Sequence, residues 1–184
     1  RLDAGPTVEA GSDSALSDGP PAVSPRPGEI VIDELLVNPA STDTNREWIE
    51  IANTTGLALD VRTLHVADAA NEVAVDAGVM APGAILVLGQ SIDPAKNGGA
   101  PVALAYGSTI SLNNDGDAIS ICLGPCAGGV ILSRVSWTGD LGASYDGHAV
   151  MVAPDTGAFC PASDPFGTAG SFGTPGAANP PCPP

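Results

Sequence analysis

The chain has 184 residues and a net charge of −15, with 21 acidic residues against six basic ones, and Lys96 is its single lysine. That balance argues against a nucleic-acid binder, whose affinity rests on basic groups displacing counterions from phosphates. It also disfavours anionic membranes, and suits solubility, a cation or a basic partner. No hydrophobic run approaches the ~18 residues that a membrane helix needs.

Residues 1–27 mix Gly, Pro, Ser, Ala and Asp without periodicity. They cannot bury enough apolar surface to offset chain entropy, so a disordered linker or stalk is expected. The first 28 residues carry −2 of the charge, which leaves −13 for the folded part. A leader of this kind acts as a spacer. Two origins are open: the stalk of a lipoprotein whose acylated Cys lay upstream, or an ordinary interdomain linker. The chain opens on Arg1 rather than Met, as expected of a trimmed or processed protein.

Residues 28–184 read as a single all-β domain of short strands split by Gly, Pro, Asn and Asp turns, at the spacing of a sandwich. Strands are expected at 29–37, 47–53, 59–66, 72–75, 84–89, 103–106, 118–123, 130–137 and 148–152. Loops are expected at 68–70, 93–99 and 140–147. After Ala153 the chain is rich in Gly, Pro and Ala, and should wrap the sandwich as ordered coil.

Four segments are the most informative. They are Gly28-Glu-Ile-Val-Ile-Asp-Glu-Leu-Leu-Val-Asn-Pro39, Arg46-Glu-Trp-Ile-Glu-Ile-Ala-Asn53, Ser111-Leu-Asn-Asn-Asp-Gly-Asp117 and Gly173-Thr-Pro-Gly-Ala-Ala-Asn179. In this order and spacing the chain resembles the bacterial, secreted and lipoprotein branch of the lamin tail domain family over roughly Gly28 to Asn179. The resemblance implies an immunoglobulin-like β-sandwich. Such domains accompany secreted hydrolases or lipoprotein anchors, which implies an adhesive, targeting or scaffolding role. Relatives also carry nucleic-acid and protein binding, and the charge of this chain speaks against the first.

Four cysteines allow three pairings. Cys122 and Cys126 flank Leu-Gly-Pro, a turn that can bring their Cα atoms within disulfide range. Cys160 and Cys182 would then tie the last loop to the C-terminus. The rival is a four-thiolate zinc site, but the 21 residues between Cys160 and Cys182 supply no second knuckle. Disulfides would place the protein in an oxidising compartment, the periplasm, cell surface or medium.

In Glu47-Trp-Ile-Glu-Ile-Ala-Asn53 the period of two puts Ile49 and Ile51 on one face, with Trp48 and Glu50 on the other. If the isoleucines are core, Trp48 and Glu50 form an outer recognition patch, unless Trp48 covers a neighbouring strand or lies under the C-terminal coil. Asn113, Asp115 and Asp117 resemble a calcium loop in composition, oxygen ligands around a Gly-permitted turn. The same residues also suit a plain hairpin turn. Asp33, Glu34, Glu47 and Glu50 would lie close together on the first two strands, where facing carboxylates could serve as acid and base or hold a hard cation. Aromatics make up 4% of the chain, too few for a sugar-stacking cleft. A Ser144, His148 and Asp146 arrangement can be written down, but nearness in sequence is not triad geometry. Asn53-Thr-Thr55 fits an N-glycosylation pattern, although Asn53 equally caps a turn. Arg46 would pair with a nearby acid.

The expectation is a non-catalytic, extracellular or surface-tethered module, outside the cell or in a bacterial periplasm. Its partner would be a protein or cell-envelope component, with membrane contact only through an upstream lipid anchor. No cofactor is expected beyond calcium at the 113–117 loop. The alternatives are a calcium-stabilised surface domain and an accessory domain of a secreted hydrolase.

Overall fold

The computed structural model describes residues 21–139, 141–153 and 156–182. Its strands run in chain order as β1 (Ile30–Leu36), β2 (Trp48–Asn53), β3 (Leu59–Asp60), β4 (Leu64–Ala67), β5 (Glu72–Val75), β6 (Val79–Met80) and β7 (Ile85–Gly89). The remainder are β8 (Leu104–Ala105), β9 (Gly116–Leu123), β10 (Val130–Thr138), β11 (Val150–Val152), β12 (Phe159–Pro161), β13 (Pro165–Phe166) and β14 (Ser171–Phe172). A single helical turn, α1 (Leu141–Ser144), precedes β11.

Two main sheets form the sandwich, ordered β12-β11-β1-β2-β7-β8 and β10-β9-β4-β5. All strand pairs are antiparallel except β7 with β8. Between the sheets, Ile30, Ile32, Leu35, Ile49, Ile51 and Leu88 meet Leu64, Val66, Ile119, Ile121, Leu132 and Trp137. Each fully buried side chain of this size contributes roughly 1.5–3 kcal/mol. The fold is the β-sandwich expected from the short β-branched runs, immunoglobulin-like as the resemblance implies.

One irregularity sets the rest. Ile32 pairs with Ile51 and Glu34 with Glu50, so Asp33 is an extra residue in β1, a β-bulge. The bulge keeps Ile32 and Leu35 in the core while Glu34 and Leu36 turn to the opposite face. The Ile32 N–H donates to Ser133 Oγ of the facing sheet at 3.0 Å.

The large sheet is buried on both faces. Behind it Leu36, Trp48, Val87, Ala149 and Met151 form a second apolar layer with Ala100, Cys160 and Ala162. The C-terminal segment covers that layer, and it contains short strands where plain coil is expected: β12 extends the large sheet and β13 pairs with β14. The strand expected over 59–66 is two strands. Asp60 accepts the Arg62 N–H at 3.3 Å and pairs with its guanidinium, closing a turn. Leu59–Asp60 then pairs with Val79–Met80, and Leu64–Ala67 joins the smaller sheet.

The linker boundary also moves. Residues 21–27 are an ordered arm, with the Val23 N–H donating to Ala58 O and the Asp60 N–H returning to Val23 O. The rest of the expected disordered tail, 1–20, lies outside the described residues.

Both expected disulfides are present, Cys122–Cys126 and Cys160–Cys182, with Cα separations of 5.4 and 5.8 Å. Loop-closure entropy values the first at about 2 kcal/mol and the second, which closes a far longer loop, at about 3 kcal/mol. Replacing Cys160 and Cys182 together by Ser should therefore lower the melting temperature more than the same change at Cys122 and Cys126. Thermal unfolding of the two variants by circular dichroism checks the order, and the reverse order would contradict it.

Candidate functional site

Trp48 and Glu50 do not form an outer recognition patch. They share a face, as alternation requires, but both are fully buried. Residues 162–182 lie over them, and Phe166 meets the Trp48 ring edge-on at 5.9 Å. Alternation fixes which residues face together and carries no information about what covers them. Trp48 is instead the centre of the second apolar layer, under the C-terminal coil.

The coil is bound by the carboxylates of that face. Glu34 and Glu50 stand opposite each other on β1 and β2. Thr174 donates its N–H at 3.1 Å and its hydroxyl at 3.3 Å to Glu34, and Gly176 donates its N–H to Glu50. Asn179 donates its side-chain amide to the Asp33 carbonyl at 2.9 Å. Gly173 permits this approach, since a Cβ there would lie 3.2 Å from Trp48 and 3.3 Å from a Glu34 oxygen. Gly176 has φ +84°, a conformation that L side chains resist. The facing carboxylates suggested as an acid–base or cation-holding pair are thus sealed beneath backbone rather than lining a cleft.

Burial raises the pKa of these groups because the charged form loses its water. It pushes Glu34 up to about 7, against the pull of the Thr174 donors and with added repulsion from Asp33 and Asp164. It pushes Glu50 up to about 9, against the Gly176 N–H and with repulsion from Asp33 and Glu34. Asp33 itself is raised to about 6, again mainly by burial. Among the described residues, Glu50 Oε1 and the Trp48 indole N–H have no hydrogen-bond partner.

At one end of the sandwich lies an open polar pocket of about 400 Å³. Buried Glu47 and Leu112 line it with the exposed residues Asp43, Thr44, Ser108, Ser111 and Asn113, and with Asn45, Gln90 and Asn114. Glu47 accepts the Leu112 N–H at 2.9 Å and the Gln90 amide at 2.7 Å. Burial pushes it up to about 7, with Asp43 and Asp117 adding repulsion. Asp43 is raised by its partial burial and by Asp146. The lining holds two carboxylates, four side-chain amides and no Lys, Arg or His. Its chemistry suits a group rich in N–H donors and positive charge.

The 113–117 loop borders this pocket through Asn113 and Asn114, whereas Asp117 is buried. One Asp117 oxygen accepts the Asn113 N–H at 3.1 Å and its side-chain amide at 2.8 Å. The other accepts Ala118 N–H at 2.7 Å and Ala69 N–H at 3.3 Å. The loop is a hydrogen-bonded turn leading into β9, and four N–H groups occupy the carboxylate that a cation would need. Among the described residues, no three His, Cys, Asp or Glu side chains are grouped to hold a metal ion.

The other singled-out residues have structural partners. His148 stacks on Phe172 with ring centroids 4.4 Å apart, and its Nδ1 lies 2.7 Å from the Ala162 carbonyl. Asp146 accepts from the Asn38 amide. His65 Nδ1 lies 2.6 Å from Glu72 on the neighbouring strand. Asn53 caps its turn, donating to Leu57, Met80 and Ala81 carbonyls and accepting from Thr55. Among the described residues Arg46 has no acidic partner; its guanidinium braces its own loop through Ala40 O and Ser41 Oγ.

The raised carboxyls give a definite pH dependence. A carboxyl whose folded pKa lies above its unfolded pKa binds more protons when folded, so stability is fully present below the unfolded value near 4.5 and lost as pH rises to the folded value. The window runs from about 4.5 to 7 for Glu34 and Glu47, and to about 9 for Glu50. Urea midpoints should thus be higher at pH 5 than at pH 8, and Glu50→Gln should reduce the difference. A midpoint that rises across this interval would contradict the assignment.

The profile of the family described as Lamin Tail Domain matches residues 24–139. That segment carries β1 to β10, including the acidic pocket, whereas the coil over Trp48 and the Gly173–Asn179 segment lie beyond it. No curated protein matches the chain. The match spans well over half of the chain, from the arm before β1 to the end of the smaller sheet, and the chain belongs to the lamin tail domain family.

Proposed function

We propose that this chain is a non-catalytic binding module of a secreted or surface-attached bacterial protein. Its acidic pocket around Asp43 and Glu47 takes a cationic group, an ammonium or guanidinium, of a protein or cell-envelope partner. The observation that carries this reading is the lining itself: two carboxyl groups and four side-chain amides with no basic side chain among them. The net charge of −15 favours encounter with a basic partner and works against nucleic acid. The two disulfides suit an oxidising compartment, and a lipid anchor upstream would supply any membrane contact. Glu34, Glu50 and Asp117, all buried, are taken up by main-chain donors, which supports a scaffold rather than an acid–base role.

Fluorescence polarisation with a labelled lysine-rich peptide, and with a glutamate-rich one of equal length, tests this. Saturable binding of the basic peptide alone is expected. Asp43→Lys, an exposed change, should weaken it about tenfold, or ~1.4 kcal/mol. Equal binding by the variant would remove the pocket as the contact, and no saturable binding would remove the cationic partner.

A further inference from the structure

The C-terminal coil is held to the large sheet in an unusual way. Within Gly173–Asn179, apart from the Gly173 N–H that donates to the Asp164 carbonyl, the polar contacts that hold the segment down are the Thr174 N–H and hydroxyl to Glu34, the Gly176 N–H to Glu50, and the Asn179 amide to the Asp33 carbonyl. All but the last end on a side chain that titrates. A strap fastened mostly through two facing carboxyl groups has a seat whose charge changes with pH.

We propose that the segment Gly173–Asn179 is a proton-operated strap, closed over the Trp48 layer while the Glu34–Glu50 pair carries protons and loosened as the pair ionises. The surroundings of the pair support this from every side. From β1 it is faced by Asp33, and from the segment after β12 by Asp164, both acidic. Across the sheet its register neighbours are Met151 on β11 and Val87 on β7, neither of which titrates. The strap offers Thr174, Gly176 and Asn179, all neutral. Among the described residues, no cation faces the pair to compensate a second negative charge. Two buried carboxylates on adjacent strands repel each other, so the closed form favours protons and the open, hydrated form releases them.

The geometry also limits the movement. The strap lies within the loop closed by Cys160–Cys182, so it can lift from the sheet while both of its ends stay tethered. Lifting would uncover the edge of Trp48 against which Gly173 packs, together with Glu34 and Glu50. Proton linkage sets the direction: closure weakens by up to about tenfold per pH unit for each proton the closed form retains. The effect begins above the ordinary carboxyl value near 4.5 and ends at about 7 for Glu34 and about 9 for Glu50.

The Thr174 and Gly176 amides are direct reporters, because each donates to one member of the pair. Hydrogen exchange on the intact, disulfide-bonded chain, read by nuclear magnetic resonance at pH 5.5 and pH 8 and corrected for intrinsic exchange, measures their protection. Protection at both amides should fall at least tenfold relative to amides of β9. Because the strap lifts as one segment, Glu50→Gln and Glu34→Gln should each shrink the decline at both amides by at least threefold. If one variant fails to fold, the other carries the test. Protection that stays constant relative to β9 would overturn the proposal. So would a decline that the glutamine variants reproduce in full.

Discussion

A six-stranded sheet with apolar residues on both faces must be covered twice, and everything distinctive in this molecule follows from how the second cover is attached. The first face meets the smaller sheet across an ordinary sandwich core. The second face carries Trp48, Leu36, Val87 and Met151, and residues 162–182 lie across it. Extended coil brings unpaired backbone N–H groups into a buried interface, and such groups need acceptors. Glu34 and Glu50 provide them. Their own desolvation is the cost, which is why they sit well above the ordinary carboxyl range.

The Asp33 bulge makes this arrangement geometrically available. Without the extra residue, Glu34 would point into the sandwich core, where no backbone donor awaits it. With it, Glu34 and Glu50 fall side by side on the outer face while Ile32 and Leu35 keep their places inside. One local irregularity therefore couples the packing of the core to the docking of a segment 140 residues away. The Cys160–Cys182 bridge secures the far end of that segment, so covalent closure and carboxylate docking act on the same strap.

Much of this was legible in the chain before folding, and the failures have a common cause. The β-branched runs of β1, β2, β7, β9 and β10 announce themselves, and the Leu-Gly-Pro turn favours pairing Cys122 with Cys126 over the other pairings without fixing it. The faces of β2 follow from a period of two. What alternation cannot supply is the far side of a contact. For Trp48 and Glu50 alternation leaves open both an outer patch and, for Trp48, a place under the C-terminal coil, because the residues that bury them arrive from more than 110 positions later, in a stretch whose Gly and Pro content looks like coil. Glu47 was visible only as a strand carboxylate. Its place in the pocket depends on Leu112 and Gln90, which reach it from other parts of the chain. Asp117 had the composition of a cation ligand, yet four N–H groups from its own turn and from Ala69 occupy it. The one signal available for the strap was the Gly-Thr-Pro-Gly spacing, where small residues permit close backbone approach to a sheet.

The acidic pocket and the strap divide between the family-matched region and the segment beyond it. The pocket is built on the sandwich shared with the family, and the strap closes a face of that same sandwich with residues outside the match. The account stands or falls on the Glu34–Glu50 pair being buried together beneath Thr174 and Gly176. Carbon-13 nuclear magnetic resonance titration of the two side-chain carboxyls measures this directly in the folded chain. Midpoints near 7 for Glu34 and near 9 for Glu50 are the expected result. Two midpoints near 4.5 would mean that both groups are hydrated, and would contradict the sealed face from which the rest is argued.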